Sequence, residues 1–210
     1  MTGRTPIAPA RPHAPRRPTL YYIRHGETDW NREGRLQGAQ DIPLNDLGRK
    51  QAAGVGQHLR DLIGPKAETL PWFVSPMQRA VETLAIARRQ IGMPDSGYAI
   101  DDRLKELSFG QWEGLTWRDV RKTDPARASG RDANKWGYVP PGGESYAMLL
   151  TRVMPFFNSL TGEAVVVAHG GIARTLLVEL AAMPAAEATV VDIWQGRVMV
   201  FEAGGAYWVP

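Results

Sequence analysis

The sequence predicts an α/β fold in three layers: a mostly parallel central sheet, helices on both faces, and a small insertion over one edge. Three observations predict it. Short apolar runs alternate with segments of helical period, the pattern of parallel strands joined by crossover helices. The runs Thr19–Ile23 and Val165–Ala168 are apolar nearly throughout, as strands buried on both faces are. Residues 107–145 then break the alternation, with Trp112, Trp117, Trp136 and Tyr138 set among glycine, proline and charge.

From the N-terminus, residues 1–18 hold four arginines, no acid and prolines at 6, 9, 12, 15 and 18, with almost no apolar side chain beyond alanine. Such a composition favours an extended, solvated chain, so 1–18 is expected as a disordered tail and 19–210 as the folded domain. Thr19–Ile23 reads as a buried strand. Leu47, Val55, Leu59 and Leu62 fall at helical spacing behind Asn45 or Asp46, either of which would cap the helix. Trp72–Val74 reads as a strand, and Met77 to Ile91 as a helix. The strand Val165–Ala168 leads into a helix from Ile172 to about Ala182. Strands are expected around Thr189–Trp194, Arg197–Glu202 and Tyr207–Val209, with a tight turn at Gly204-Gly205. Within 107–145 one short helical piece is expected near Leu115–Arg121.

Composition narrows the function. The chain has 210 residues and no cysteine, which removes disulfides, thiolate metal sites and every thiol nucleophile. No stretch reaches the length of a membrane-spanning helix, and no apolar segment follows Arg16-Arg17 as an export signal requires. Neither a membrane nor export is therefore expected, and the expected location is cytoplasmic. The net charge is +3, but without residues 1–18 there remain 21 basic side chains against 22 acidic ones. A near-neutral body gives no case for nucleic acid. Oligomeric state is not legible.

Of the four histidines, His13 lies in the tail and His58 on a polar helix face. His25 and His169 share a context: each ends an apolar strand and precedes glycine. In a parallel sheet the C-terminal strand ends lie along one edge, where ligands collect. Two imidazoles there can meet across one crevice, with glycines letting backbone N–H groups approach an anion. Arg24 adds a cation beside His25. Arg79 falls in the first turn of a helix, where it opposes the helix dipole; it makes sense there if it faces phosphate.

These residues resemble a known family. Arg24-His25-Gly26-Glu27-Thr28 with Asn31, Gln37-Gly38, Ser75-Pro76-Met77-Gln78-Arg79-Ala80, Glu106 to Gly114, Pro141-Gly142-Gly143-Glu144-Ser145 and Ala168-His169-Gly170-Gly171 follow, in order, the motifs of the histidine phosphatase superfamily, also called phosphoglycerate mutase-like. The resemblance implies that His25 attacks a phosphoryl group, that Arg24, Arg79 and His169 stabilise it, and that Glu106 protonates the leaving oxygen and later activates water. Glu113 and Glu27 are rivals to Glu106, Glu113 being better suited to anchoring a loop. Thr28, Asn31, Gln37, Gly38 and Gly170 are implied as substrate contacts, although Asn31 also reads as a helix cap. The implied reaction needs no metal and no cofactor, and the partner is a small-molecule phosphate ester.

Leu107 and Phe109 stand where the family's mutases carry arginine and tyrosine, and no Arg-Arg pair lies between Glu106 and His169. Both departures favour the family's small phosphatases over a 2,3-bisphosphoglycerate-dependent mutase. An inactive phosphate-ester-binding module is a further alternative, disfavoured by the completeness of the set. Six basic residues, at 118, 121, 122, 127, 131 and 135, stand against three acids between Leu115 and Gly137. They are read as a solvated surface rather than as a second anion site.

Overall fold

A computed structural model describes residues 4–9 and 17–209. The elements run β1 (Thr5–Ala8), β2 (Leu20–Arg24), a one-turn α1 (Asp29–Arg32), α2 (Asp46–Ile63), β3 (Trp72–Val74), α3 (Gln78–Gln90) and β4 (Ala99–Ile100). There follow α4 (Trp117–Thr123), α5 (Pro125–Ala133), α6 (Tyr146–Asn158), β5 (Ala164–Ala168), α7 (Gly170–Glu179), α8 (Ala185–Ala188), β6 (Val198–Glu202) and β7 (Gly205–Val209).

The strands form one sheet in the order β1-β7-β6-β2-β5-β3-β4. β2, β5, β3 and β4 pair in parallel, while β6, β7 and β1 extend the sheet antiparallel from β2. Side chains alternate between two cores, as a pleated strand requires. Tyr21, Ile23, Val165 and Val167 pack on Val55 and Leu59 of α2 and on Ala80 and Leu84 of α3. Tyr22, Val166 and Ala168 pack on Leu149 and Val153 of α6 and on Ile172 and Leu176 of α7. The insertion builds a third, small core from Leu36, Trp112, Val120 and Ala128. No helix among the described residues is long and apolar enough to cross a membrane.

The register positions the site. Tyr22 lies opposite Val166 and Arg24 opposite Ala168. The His25 N–H continues the ladder onto the Ala168 carbonyl (3.0 Å), and the Ser75 N–H onto that of Val167 (3.1 Å). Three strands thus end level, and His25, Ser75 and His169 leave the sheet side by side.

Residues 5–8, expected within a disordered tail, instead form β1 on β7. Arg4 pairs with Glu202 at 3.0 Å and lies over the Tyr207 ring, while Ile7 and Ala8 join the α6–α7 core. An edge strand tolerates proline, because one side of its ladder is unused; Pro6 exploits this. His13 and the rest of 10–16 fall outside the described residues.

Three further expectations change. The strand expected at Thr189–Trp194 is irregular chain after α8, and its Val191 and Ile193 carbonyls accept from Arg174 and Arg24 rather than from a neighbouring strand. The insertion carries two helices, not one: Thr116 caps α4 in a capping box, and Pro125 opens α5 from the first-turn position that suits proline. Helix α6 has no counterpart among the sequence expectations; it holds Pro155 inside it, its apolar residues clamped by the core.

Candidate active site

His25 and His169 face each other with ring centroids 5.2 Å apart at the C-terminal ends of β2 and β5. The His25 Nδ1 lies 2.7 Å from the Gly26 carbonyl oxygen. A carbonyl only accepts, so Nδ1 carries the proton and Nε2 keeps a free lone pair. Burial pushes the His25 imidazole well below its ordinary pKa, and the Arg79 and Arg24 guanidiniums push it further. His25 is therefore neutral and in the tautomer that exposes Nε2. His169 is pinned by its backbone: its N–H donates to Tyr22 Oη (2.9 Å), which donates to the His169 carbonyl (2.6 Å). Its Nε2 meets Ser75 Oγ at 2.7 Å.

The two arginines are fixed from behind. Arg79 is fully buried and donates to the carbonyls of Gln40 (2.6 Å) and Gly38 (3.0 Å). Arg24 donates to the Ile193 carbonyl at 2.7 Å. Burial, then Arg174, lowers Arg24 to about 10, so it stays charged at neutral pH. Five buried side-chain polar atoms lack a protein partner among the described residues, and four of them belong to this site: Arg24 Nε, Arg79 Nε, His169 Nδ1 and Gln37 Oε1. Buried polar groups are normally satisfied. Three potential donors left unpaired around one imidazole are matched to an anion with several acceptor oxygens.

Glu106 lines the same cleft. Its two oxygens accept from the N–H groups of Leu107 (2.8 Å) and Gly171 (3.1 Å). A Cβ at 171 would overlap the carboxylate, so glycine there leaves Glu106 its position. Glu113 is committed elsewhere, accepting from Ala39 N–H, Gln40 Nε2, Ser108 Oγ and Phe109 N–H, which fastens the loop beside Gly38. Glu27 accepts from Asn45 Nδ2. Neither rival lines the cleft, which measures about 410 Å³. Among the described residues, no group of three or more His, Asp or Glu side chains is placed to hold a metal ion.

The cleft has the chemistry of phosphoryl transfer, and a family model supports the same reading: residues 20–209 match the histidine phosphatase superfamily (branch 1). The chain belongs to the histidine phosphatase superfamily. A glucosyl-3-phosphoglycerate phosphatase of Mycolicibacterium vanbaalenii is 33% identical over 203 residues, covering 90% of this chain and 82% of that one. A 2,3-bisphosphoglycerate-dependent phosphoglycerate mutase of Parvibaculum lavamentivorans is 29% identical, covering 87% and 89%. Among solved structures, the α-ribazole phosphatase of Shigella flexneri superposes with a TM-score of 0.73 at 26% identity, covering 90% and 93%.

In this histidine phosphatase the structure gathers His25, Arg24, Arg79, Glu106 and His169 at one place, with Asn31, Gln37, Gly38 and Gly170 lining the cleft beside them. Thr28 is the exception. It is fully buried, and its hydroxyl accepts from the Asn31 N–H as the cap of α1. Asn31 Oδ1 returns the bond to the Thr28 N–H and also accepts from Gln195, so Asn31 serves the cap and the cleft wall together. Sequence reasoning missed Arg174. It lines the cleft from the second turn of α7, near the positive end of a helix that follows a strand, which is the signal that singled out Arg79.

Proposed function

We propose that this enzyme is a metal-independent phosphatase that hydrolyses small phosphate monoesters through a phosphohistidine at His25. One observation carries the reading: the Nδ1–H of His25 is tied to the Gly26 carbonyl, which leaves a neutral Nε2 between two guanidiniums. The Nε2 lone pair forms the N–P bond as the ester P–O bond breaks. The leaving alkoxide takes the proton of the Glu106 carboxyl. Water then attacks phosphorus while the Glu106 carboxylate takes its proton, and the N–P bond breaks to release phosphate and restore His25. Arg24, Arg79 and His169 meet the charge spread over the three equatorial oxygens.

Relatives include both phosphatases and mutases. Leu107 and Phe109, at the places where mutases carry arginine and tyrosine, favour hydrolysis. The test is p-nitrophenyl phosphate with EDTA present, beside 3-phosphoglycerate with a bisphosphoglycerate primer. Phosphate release that persists in EDTA and outpaces isomerisation is expected. Efficient isomerisation with little phosphate release would make the chain a mutase.

A further inference from the structure

Tyr22 buries a hydroxyl that its place in the core does not ask for. It lies mid-strand in β2 with none of its surface exposed, and its ring meets Phe201 edge-on in the core shared with α6 and α7. Phenylalanine would fill that place with apolar atoms alone. A buried phenol has to find hydrogen-bond partners, or its desolvation goes uncompensated. The neighbouring Tyr21, facing the other core, donates to Glu163 Oε2 at 3.1 Å. Tyr22 Oη finds its partners on His169, accepting from the N–H at 2.9 Å and donating to the carbonyl at 2.6 Å. Burial raises the Tyr22 phenol well above its ordinary pKa, and Glu106 adds to the rise, so the O–H keeps the proton that it donates.

His169 is a residue where such a tie has consequences. It is the N-cap of α7, with extended backbone (φ −132°, ψ 166°). An N-cap side chain ordinarily anchors its residue by accepting from an N–H of the first turn. His169 makes no such bond, because its imidazole is turned to His25 and Ser75. Its backbone is held instead. The N–H and the carbonyl flank one Cα, so a single oxygen bonded to both fixes φ and ψ together, and with them the direction of the Cα–Cβ bond. The carbonyl also accepts from the Ala173 N–H at 3.2 Å. Ser75 Oγ holds the ring at Nε2, leaving Nδ1 without a protein partner among the described residues. Two residues on, the Gly171 N–H holds Glu106, so the same turn also seats the acid.

Resting on the phosphatase reading, we propose that Tyr22 is a positioning residue of the reaction: its hydroxyl sets the His169 backbone so that the imidazole meets the transferring phosphoryl, while Tyr22 itself touches no substrate atom.

Tyr22→Phe removes the oxygen and keeps the ring. The probe is p-nitrophenyl phosphate, whose leaving group asks least of Glu106 and so isolates the effect on His169. Expected is a fall in kcat of about 10- to 100-fold, the scale of a misplaced oxyanion donor, with KM changed by less than about threefold. His169→Ala alone should lose about 10²–10³-fold and is assayed with enzyme in excess. Adding Tyr22→Phe to it should cost less than about twofold more, since no imidazole is left to place. Tyr22→Met, which also removes the hydroxyl and keeps apolar bulk, is the second variant and should show the same pattern. Each variant is assayed well below its melting temperature. A merely structural hydroxyl would lower that temperature and leave the kcat of folded enzyme unmoved. Unchanged kcat in both variants would overturn the proposal, as would a loss equally large with and without His169, or failure of both variants to fold. If the unaltered enzyme leaves the ester intact, the phosphatase reading fails and takes this proposal with it; if it cleaves the ester and the Tyr22 variants match it, only the Tyr22 proposal fails.

Discussion

In the proposed hydrolysis Glu106 gives a proton to the leaving oxygen and later takes one from water. Both of its oxygens are held by backbone N–H groups, so its place in the cleft does not depend on another side chain. Glu106→Gln keeps the shape and removes the acid. It is expected to slow alkyl phosphates about 10²-fold or more, and p-nitrophenyl phosphate far less, since p-nitrophenolate leaves with little help. Equal losses on both ester types would reduce Glu106 to a positioning residue. At this scale much was legible in the sequence. His25 and His169 showed themselves by matching flanks, and Arg79 by standing at the wrong end of a helix dipole. The burial of Arg131 was not legible, because it depends on a ring, Trp117, that two helices bring beneath it.

At the scale of elements, the start of α2 clamps the turn that follows His25. Asn45 caps α2 by accepting from the Gly48 N–H, and its backbone N–H donates to the Glu27 carbonyl. Gln51 Oε1 accepts from the Glu27 N–H at 2.8 Å. Gly26 and Gly48 pass so closely that a Cβ on either would overlap backbone of the other segment. Helix propensity alone favours alanine over glycine by about 1 kcal/mol, so it predicts that Gly48→Ala stabilises. The packing predicts the reverse: a loss of about 1–3 kcal/mol in chemical unfolding, with a fall in kcat as the His25 turn shifts. A stabilised, fully active variant would show that this contact gives way freely. The buried strands and the helices α2, α3 and α7 were legible from periodicity. β1 and α6 were not: the tail's proline-rich composition reads as solvated chain although an edge strand tolerates proline, and α6 is held by tertiary packing around Pro155.

For the molecule as a whole, the site is a net cost in acid. His25 and His169 are both held well below the ordinary histidine pKa, by burial first, and His58 is lowered in the same direction. Once unfolded, these imidazoles titrate near 6.5. Above that pH neither state binds the protons and stability is unaffected. As pH falls below about 6.5, the unfolded chain takes up protons that the folded one refuses, so stability drops. Denaturant midpoints should therefore fall between pH 7 and pH 5.5; a rise over that interval would contradict the buried, neutral pair. The catalytic claim that joins all three scales is that His25 Nε2 becomes phosphorylated. Rapid quenching during turnover of a ³²P-labelled ester measures this directly. A labelled protein whose phosphate is lost in acid and kept in base, with the label mapped to His25 and absent from His25→Ala together with turnover, is the expected result. Sustained turnover by His25→Ala, or label on another residue, would contradict it.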